Sequence, residues 1–292
     1  MEPWETIAGA ISEATGDTYQ VEQQQSVGGG CINSAYRISD GARDYFVKLN
    51  SVDGLAMFEA EADGLRELHA PGAIKVPAPV ATGIASGQAF IVMEDLSLGG
   101  RGSAEQFGRE LAALHRTTQS RFGWYRDNTI GSTSQVNSEN SDWISFWREQ
   151  RLGAQLSMAA RKGHTGQMQT LGEELMARFP ALFSDYSPQP SLLHGDLWSG
   201  NYAYTQDGEP VIFDPAVYYG DREADIAMTE LFGGFGGGFY AAYEEAWPLD
   251  PGYRVRKSFY NLYHILNHLN LFGGGYGEQA IGIMKRLLSE LR

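Results

Sequence analysis

The chain has 292 residues, long enough for two ordinary hydrophobic cores, and its 42% hydrophobic and 20% charged composition is that of a folded protein rather than a disordered one. Its 36 acidic residues against 22 basic ones leave a formal charge of -14, a field that repels nucleic-acid backbones and anionic membranes, so neither is expected as a partner. The single cysteine, Cys31, excludes an internal disulfide; no basic, then apolar leader opens the chain and no apolar run reaches the length of a membrane span, which together predict a cytoplasmic protein.

Residues 3–15 carry Trp4, Ile7, Ala8 and Ile11 at helical spacing and predict a short amphipathic helix. From 21 to 50 the sequence reads as strand, glycine turn, strand, an Asp40-Gly41 hairpin turn, and strand. A helix over 54–70 is marked by Phe58, Ala62, Leu65 and Leu68 and closed by Pro71-Gly72. Two more strands follow at 79–84 and 89–95, so five strands and one main helix make a small lobe ending near Leu96. Beyond it, amphipathic runs at 103–118, 141–160, 165–179, 222–232, 237–246, 253–272 and 277–291 predict a mostly helical second lobe. The interruption at 191–215 reads as a loop, a β-hairpin turning at Asp207-Gly208, and a second loop. The division expected is 1–96, a nucleotide-binding lobe, and 97–292, a catalytic and substrate-binding lobe.

The densest chemistry lies in that interruption. His194-x-Asp196 is followed by Asn201 and, past the hairpin, by Asp214. This order matches the apparatus of phosphoryl transfer, in which one Asp accepts the proton of an alcohol while Asn and a second Asp hold Mg2+. An alcohol needs a base within reach, and the phosphates of ATP need divalent charge held by hard oxygen ligands. The reading therefore makes Asp196 the base and Asn201 with Asp214 the metal ligands. His194 reads as a packing residue, and Asp225, eleven residues after Asp214, as a brace for the catalytic loop.

Lys48 stands in the apolar strand YFVKLN, where a lysine needs a partner. Glu61 on the next helix is the first candidate and Glu59 the alternative, the two pointing to different helix faces. Glycines 28, 29 and 30 allow backbone amides to approach phosphate closely, although the pattern is not GxGxxG and also suits a plain hairpin turn. Met93, Glu94, Asp95 and Leu96 end the last strand of the small lobe, where a hinge presents backbone groups to adenine. Cys31, directly after Gly30, is a redox candidate: amides that favour an anion also favour thiolate, and with no second cysteine oxidation either caps the thiol or joins two chains in a disulfide-linked homodimer. A packed, inert thiol is the other reading of Cys31.

LLHGDLWSGN, IFDPAVYYG, ELFGGFGGGFYAAYEE, FVKLN with MFEAEADGL, YNLYHILNHLNLFGGGY and DNTIGSTSQVN together resemble the fructosamine (ketosamine) kinase family over nearly the whole chain. Trp198 discriminates most, since protein kinases and aminoglycoside phosphotransferases resemble the chain in Asp and Asn but differ around it. The resemblance implies an α+β, bilobal protein-kinase-like fold with an antiparallel-sheet N-lobe and a larger helical C-lobe. It implies ATP and Mg2+ as cofactors and phosphorylation of the third-carbon hydroxyl of ketosamines, free or on glycated proteins. It also implies Lys48 with Glu61 at the phosphates and Glu94 to Leu96 at the adenine. Trp198 could stack on the sugar or amine, and His264 and His268, one helical turn apart, could line the acceptor cleft or simply pack. Two other readings stay open: a phosphotransferase for choline, an aminoglycoside or another small alcohol, and a nucleotide-binding pseudokinase, against which the intact Lys48, Asp196, Asn201 and Asp214 argue.

Overall fold

The computed structural model describes residues 3–28 and 33–291; Gly29, Gly30 and Cys31 fall outside them. The chain forms two compact units, Met1–Gly102 with Ala203–Pro215, and Ser103–Tyr202 with Ala216–Arg292. The hairpin segment 203–215 thus belongs with the first unit rather than with the helical residues that flank it in sequence.

The first unit is built on a five-stranded antiparallel sheet in the order β1-β2-β3-β5-β4, with strands Gln23–Val27, Ser34–Ser39, Asp44–Ser51, Pro79–Ala85 and Gln88–Glu94 numbered β1 to β5 along the chain. The turn from β2 to β3 is held by Asp40, whose carboxylate accepts the backbone N–H groups of Ala42 (3.0 Å) and Arg43 (2.7 Å). Helix α1, Trp4–Thr15, buries Ile7, Ala8 and Ile11 against Ile38, Val47, Leu49, Phe90 and Val92. Because successive strand residues face opposite sides, the register that places Val47 and Leu49 in this core turns Lys48 to the other face. Helix α2, Leu55–His69, packs near β4 and β5 and buries Phe58, Ala62, Leu65 and Leu68.

Residues 203–215 join this unit through backbone bonds. Ile212 N–H donates to Lys75 O at 3.1 Å, Gly99 N–H donates to Tyr204 O at 3.0 Å, and Lys75 Nζ meets Glu209 at 2.6 Å. Asp214 follows Ile212 by two residues, so these bonds set where its carboxylate stands.

The second unit is mostly helical. Its helices are α3 (Ala104–His115), α4 (Trp143–Trp147), α5 (Gly153–Arg161), α6 (Gln167–Arg178), α7 (Glu223–Leu231), α8 (Gly237–Ala246), α9 (Tyr253–Phe272) and α10 (Tyr276–Glu290), with short strand pairs between them in sequence. Helix α9 is central: Phe259, Tyr260, Leu262, Tyr263, Ile265, Leu266 and Leu269 are all buried, and it packs against α5, α7 and α10.

Two details depart from the sequence reading. The run at 141–160 is broken by a π-helical turn, Arg148–Leu152, between α4 and α5. Also, 128–135 forms a tight antiparallel hairpin, β6 (Asn128–Ile130) with β7 (Thr133–Gln135), where no strands were expected. Strand β8, Ser191–Leu193, pairs with β11, Tyr218–Gly220, after the hairpin of β9 (Tyr202–Tyr204) and β10 (Pro210–Ile212). No helix among the described residues is long and apolar enough to cross a membrane.

Candidate active site

The first constellation lies wholly within the sheet unit. Lys48 Nζ, nearly buried, stands 2.5 Å from Glu61 Oε1 and 2.5 Å from Asp214 Oδ1. The helical phase decides between the two glutamates: Glu61 comes round to the lysine, while Glu59 is exposed. Burial works against the Lys48 ammonium, but the charges of Asp214 and Glu61 outweigh it and carry its pKa above the ordinary lysine value. Lys48 is therefore a fixed cation. For Glu61, burial comes first and Asp214 adds to it; the pKa is raised even with Lys48 opposing. Asp214 adopts φ +57, a left-handed conformation rare for a non-glycine residue and one that clusters at functional sites.

The second constellation lies wholly within the helical unit. Gly195, at φ +83, lets the chain turn sharply between His194 and Asp196; a Cβ there would meet Ala216 O at 2.0 Å, so only glycine fits. Buried Asp225 accepts the backbone N–H groups of His194 (2.7 Å) and Gly195 (2.9 Å) and faces His115 Nε2 at 3.2 Å. Burial alone would raise the Asp225 pKa, yet the His115 bond and charge, His194 and the Gly195 amide together hold it below the ordinary value. Asp225 thus bolts the start of the loop to α7 as an anion.

Past that bolt the loop closes on itself. His194 Nδ1 accepts the Asp196 N–H at 3.3 Å, and Asn201 Nδ2 donates to Asp196 O at 2.9 Å and to Asp196 Oδ2 at 3.3 Å. Those bonds fix the Asn201 amide with its nitrogen toward Asp196. Among the described residues no cluster of three or more His, Cys, Asp or Glu is arranged to hold a metal ion. Asp214 in the sheet unit and Asn201 in the helical unit each carry an oxygen of the hard type that Mg2+ takes.

Trp198, 37% exposed, sets its ring edge-on to Phe232 at 6.2 Å, and its ring is so close to Gly200 that a Cβ there would sit 2.3 Å away. Phe232 in turn lies 4.9 Å from the ring of His268, so Trp198 and His268 bracket one aromatic patch. His268 Nδ1 lies 2.8 Å from His264 O, and burial lowers its pKa. His264 is buried, Nδ1 lacks a partner, and burial aided by His268 pushes its pKa down to about 3; both are neutral at physiological pH. In the sheet unit, Glu94 N–H donates to Ala78 O at 2.9 Å, and the Asp95 carboxylate is ion-paired with Arg37 and accepts the Ser97 N–H at 3.1 Å. Leu96 follows, half-buried, and Gly28 precedes the residues not described.

Residues that the sequence reading passed over are buried and polar: Asn128, Gln135, Asn137, Arg151 and Tyr263. DNTIGSTSQVN was the signal for three of them, but it announced no chemistry.

An antiparallel five-stranded sheet with its paired lysine, together with a helical unit whose loop 194–201 is braced by Asp225, is the α+β fold of kinase-like phosphotransferases, and the chain is a phosphotransferase of that class. Its sequence matches the fructosamine kinase profile from residue 3 to residue 290, and it belongs to that family. It is 48% identical to a probable ketoamine kinase of Synechocystis over 98% of this chain and 97% of the relative. It is 45% identical to a chloroplastic protein-ribulosamine 3-kinase of Arabidopsis thaliana over 95% of this chain and 86% of the relative. A solved putative fructosamine-3-kinase from Haemophilus somnus superposes with a TM-score of 0.89 at 31% identity, covering 98% of this chain and 97% of the other.

Proposed function

We propose that the protein transfers the terminal phosphoryl group of ATP to the third-carbon hydroxyl of ketosamines, sugar adducts of free amines or of protein lysines. The observation that carries this reading is the pair of constellations, Lys48–Glu61–Asp214 and Asp196–Asn201, in a member of the fructosamine kinase family. The ketoamine and ribulosamine names of its relatives supply the acceptor class.

In this mechanism Lys48, locked as a cation, pairs with phosphate oxygens and Glu61 keeps its ammonium aimed. Asp214 and Asn201 are the residues that would hold Mg2+, whose charge would offset that of the nucleotide. Asp196 accepts the proton of the acceptor hydroxyl as the oxygen attacks, and Asn201 Nδ2 keeps the carboxylate turned. The glycine run that begins at Gly28 is assigned to the phosphates, and Glu94 to Leu96 meet the adenine, Asp95 by its backbone because its carboxylate is committed to Arg37. Trp198 stacks on the adduct, with His264 and His268 beside it as neutral imidazoles.

The product chemistry gives the reaction a purpose. Loss of a proton from the first carbon turns the ketone into an enaminol, which expels inorganic phosphate from the third carbon; water then cleaves the resulting imine and releases the amine. Phosphorylation thus starts deglycation. A lone cysteine fits a reducing compartment, and we place the enzyme in the cytoplasm. Phosphorus and carbon NMR of the product formed from ATP and a lysine ribulosamine tests the assignment: coupling at the third carbon supports it, and phosphate on any other hydroxyl rejects it.

A further inference from the structure

The helical unit contains a directed chain of buried hydrogen bonds that the phosphoryl-transfer apparatus does not account for. It starts at Arg151, which the π-helical turn carries into the interior, fully buried. Its guanidinium is held by carbonyl oxygens and ring faces: Nη1 donates to Val136 O at 2.6 Å, and the cation lies 4.1 Å from the centre of the Tyr218 ring and 4.7 Å from that of Phe146. Nη2 donates to Asn137 Oδ1 at 2.7 Å. Arginine can only donate, so this bond fixes which way the Asn137 amide faces. Its nitrogen then donates to Asn128 Oδ1 at 2.9 Å, which fixes Asn128 in turn, and Asn128 Nδ2 donates to Val217 O at 2.8 Å.

A second arm enters from α9. Tyr263 O–H donates to Gln135 Oε1 at 2.7 Å, and Gln135 Nε2 donates to Asn128 Oδ1 at 2.9 Å and Ala216 O at 3.1 Å. Both arms converge on Asn128 Oδ1 and end on two successive backbone carbonyls, Ala216 O and Val217 O, while side bonds from Arg151 Nη1 to Val136 O and from Asn137 Nδ2 to Arg126 O (3.1 Å) anchor the first arm; bonds aligned head to tail in a buried setting strengthen one another. The receiving backbone abuts the catalytic loop: Ala216 N–H donates to His194 O at 2.8 Å, and Ala216 O sits where a Cβ on Gly195 would stand. Asp196 is the next residue. Asp225 fixes His194 and Gly195 through their N–H groups, and Ala216 takes the His194 carbonyl. The loop is therefore gripped on both its donors and its acceptor. A buried cation with an unpartnered Nε is a costly way to fill a core, whereas it is a direct way to set the polarity of a relay.

We infer that Gln135, with its amide orientation set by Tyr263 and by the Arg151–Asn137–Asn128 arm, is a positioning residue for Asp196, acting through Ala216 on the catalytic loop. This rests on Asp196 being the base. Gln135→Met keeps the length of the side chain and removes both of its bonding groups; Tyr263→Phe removes one hydroxyl only. A displaced base costs turnover steeply, so Gln135→Met lowers kcat about 10- to 100-fold, while KM for ATP stays within about two-fold because the lysine-bearing constellation is untouched.

The discriminating measurement is the double variant, assayed well below each variant's thermal midpoint. If Gln135 works through Asp196, then adding Gln135→Met to Asp196→Asn lowers the residual turnover by less than about three-fold. Losses that multiply, or full kcat in folded Gln135→Met, overturn the inference while leaving Asp196 as the base. Full turnover in Asp196→Asn alone removes the base assignment, and the inference with it. If Gln135→Met does not fold, Tyr263→Phe decides the matter: a fall in kcat with KM for ATP held supports the relay, and an unchanged kcat rejects it.

Discussion

Replacing Asp225 by Asn tests the loop brace with a change of one atom. The carboxylate accepts two backbone N–H groups, from His194 and Gly195, and faces His115. Asn presents one oxygen and one NH2, so whichever way it turns, one buried N–H faces another donor, at a cost of about 1–3 kcal/mol. The remaining bond loses its charge and about half its strength, roughly another 1 kcal/mol. Together the variant is about 3 kcal/mol less stable, a large share of the ~5–15 kcal/mol available to a folded domain. With a urea slope of about 1–3 kcal/mol per molar, the unfolding midpoint falls by roughly 1 M or more, and turnover falls with it as the loop loosens.

The pH dependence has a defined sign. The folded-state pKa of Asp225 is depressed, so its contribution is complete above the unfolded carboxylate value of 3.8 and disappears as pH falls through the lower folded value. The gap between wild type and Asp225→Asn therefore stays full above pH 3.8, narrows as pH falls below it, and closes only beneath the depressed folded value. A midpoint unchanged within about 0.2 M, with full turnover, would refute the brace.

Asp196→Asn lowers turnover by about 10²- to 10⁴-fold while ATP affinity is kept, since general-base terms have that size; stopped-assay kcat and nucleotide titration check both halves. In Asp214→Ala, calorimetry should find the magnesium-dependent part of nucleotide affinity gone, because the carboxylate proposed to hold the ion, which also pairs with Lys48, is lost. His264 has a folded pKa of about 3 against an ordinary 6.5, so the unfolded chain takes up a proton in that interval that the native state refuses. Stability is then lost as pH falls below 6.5, by about 2 kcal/mol at pH 5 from this group. Urea titrations at pH 7 and pH 5 should show a smaller difference in His264→Phe than in wild type, and an equal difference would contradict the burial argument.

The parts of the fold that could be read from sequence are those whose signal is apolar and periodic. The β3 register is an example: Val47 and Leu49 announce a buried face, and that same alternation isolates Lys48 on the other side and calls for a carboxylate. Choosing Glu61 over Glu59 needs the phase of α2, which only the packed helix supplies. The β6–β7 hairpin escaped because its inward positions include Asn128 and Gln135; buried polar residues erase the period-two hydrophobic pattern that marks a strand. The π-helical turn at Arg148–Leu152 is equally silent, since its residues are good helix formers and only packing turns Arg151 inward. The membership of 203–215 in the sheet unit rests on backbone bonds to Lys75 and Gly99, groups every residue carries and no sequence pattern advertises.

The central claim is the choice of acceptor, and it is tested by ATP consumption measured side by side on ribulosamines, fructosamines, choline and aminoglycosides. The expected result is that kcat/KM for a ribulosamine or fructosamine exceeds that for choline and for every aminoglycoside, and that Asp196→Asn lowers the ketosamine rate by about 10²- to 10⁴-fold. Equal or faster consumption with choline or an aminoglycoside, or none above the ATP-only background with any ketosamine, would contradict it.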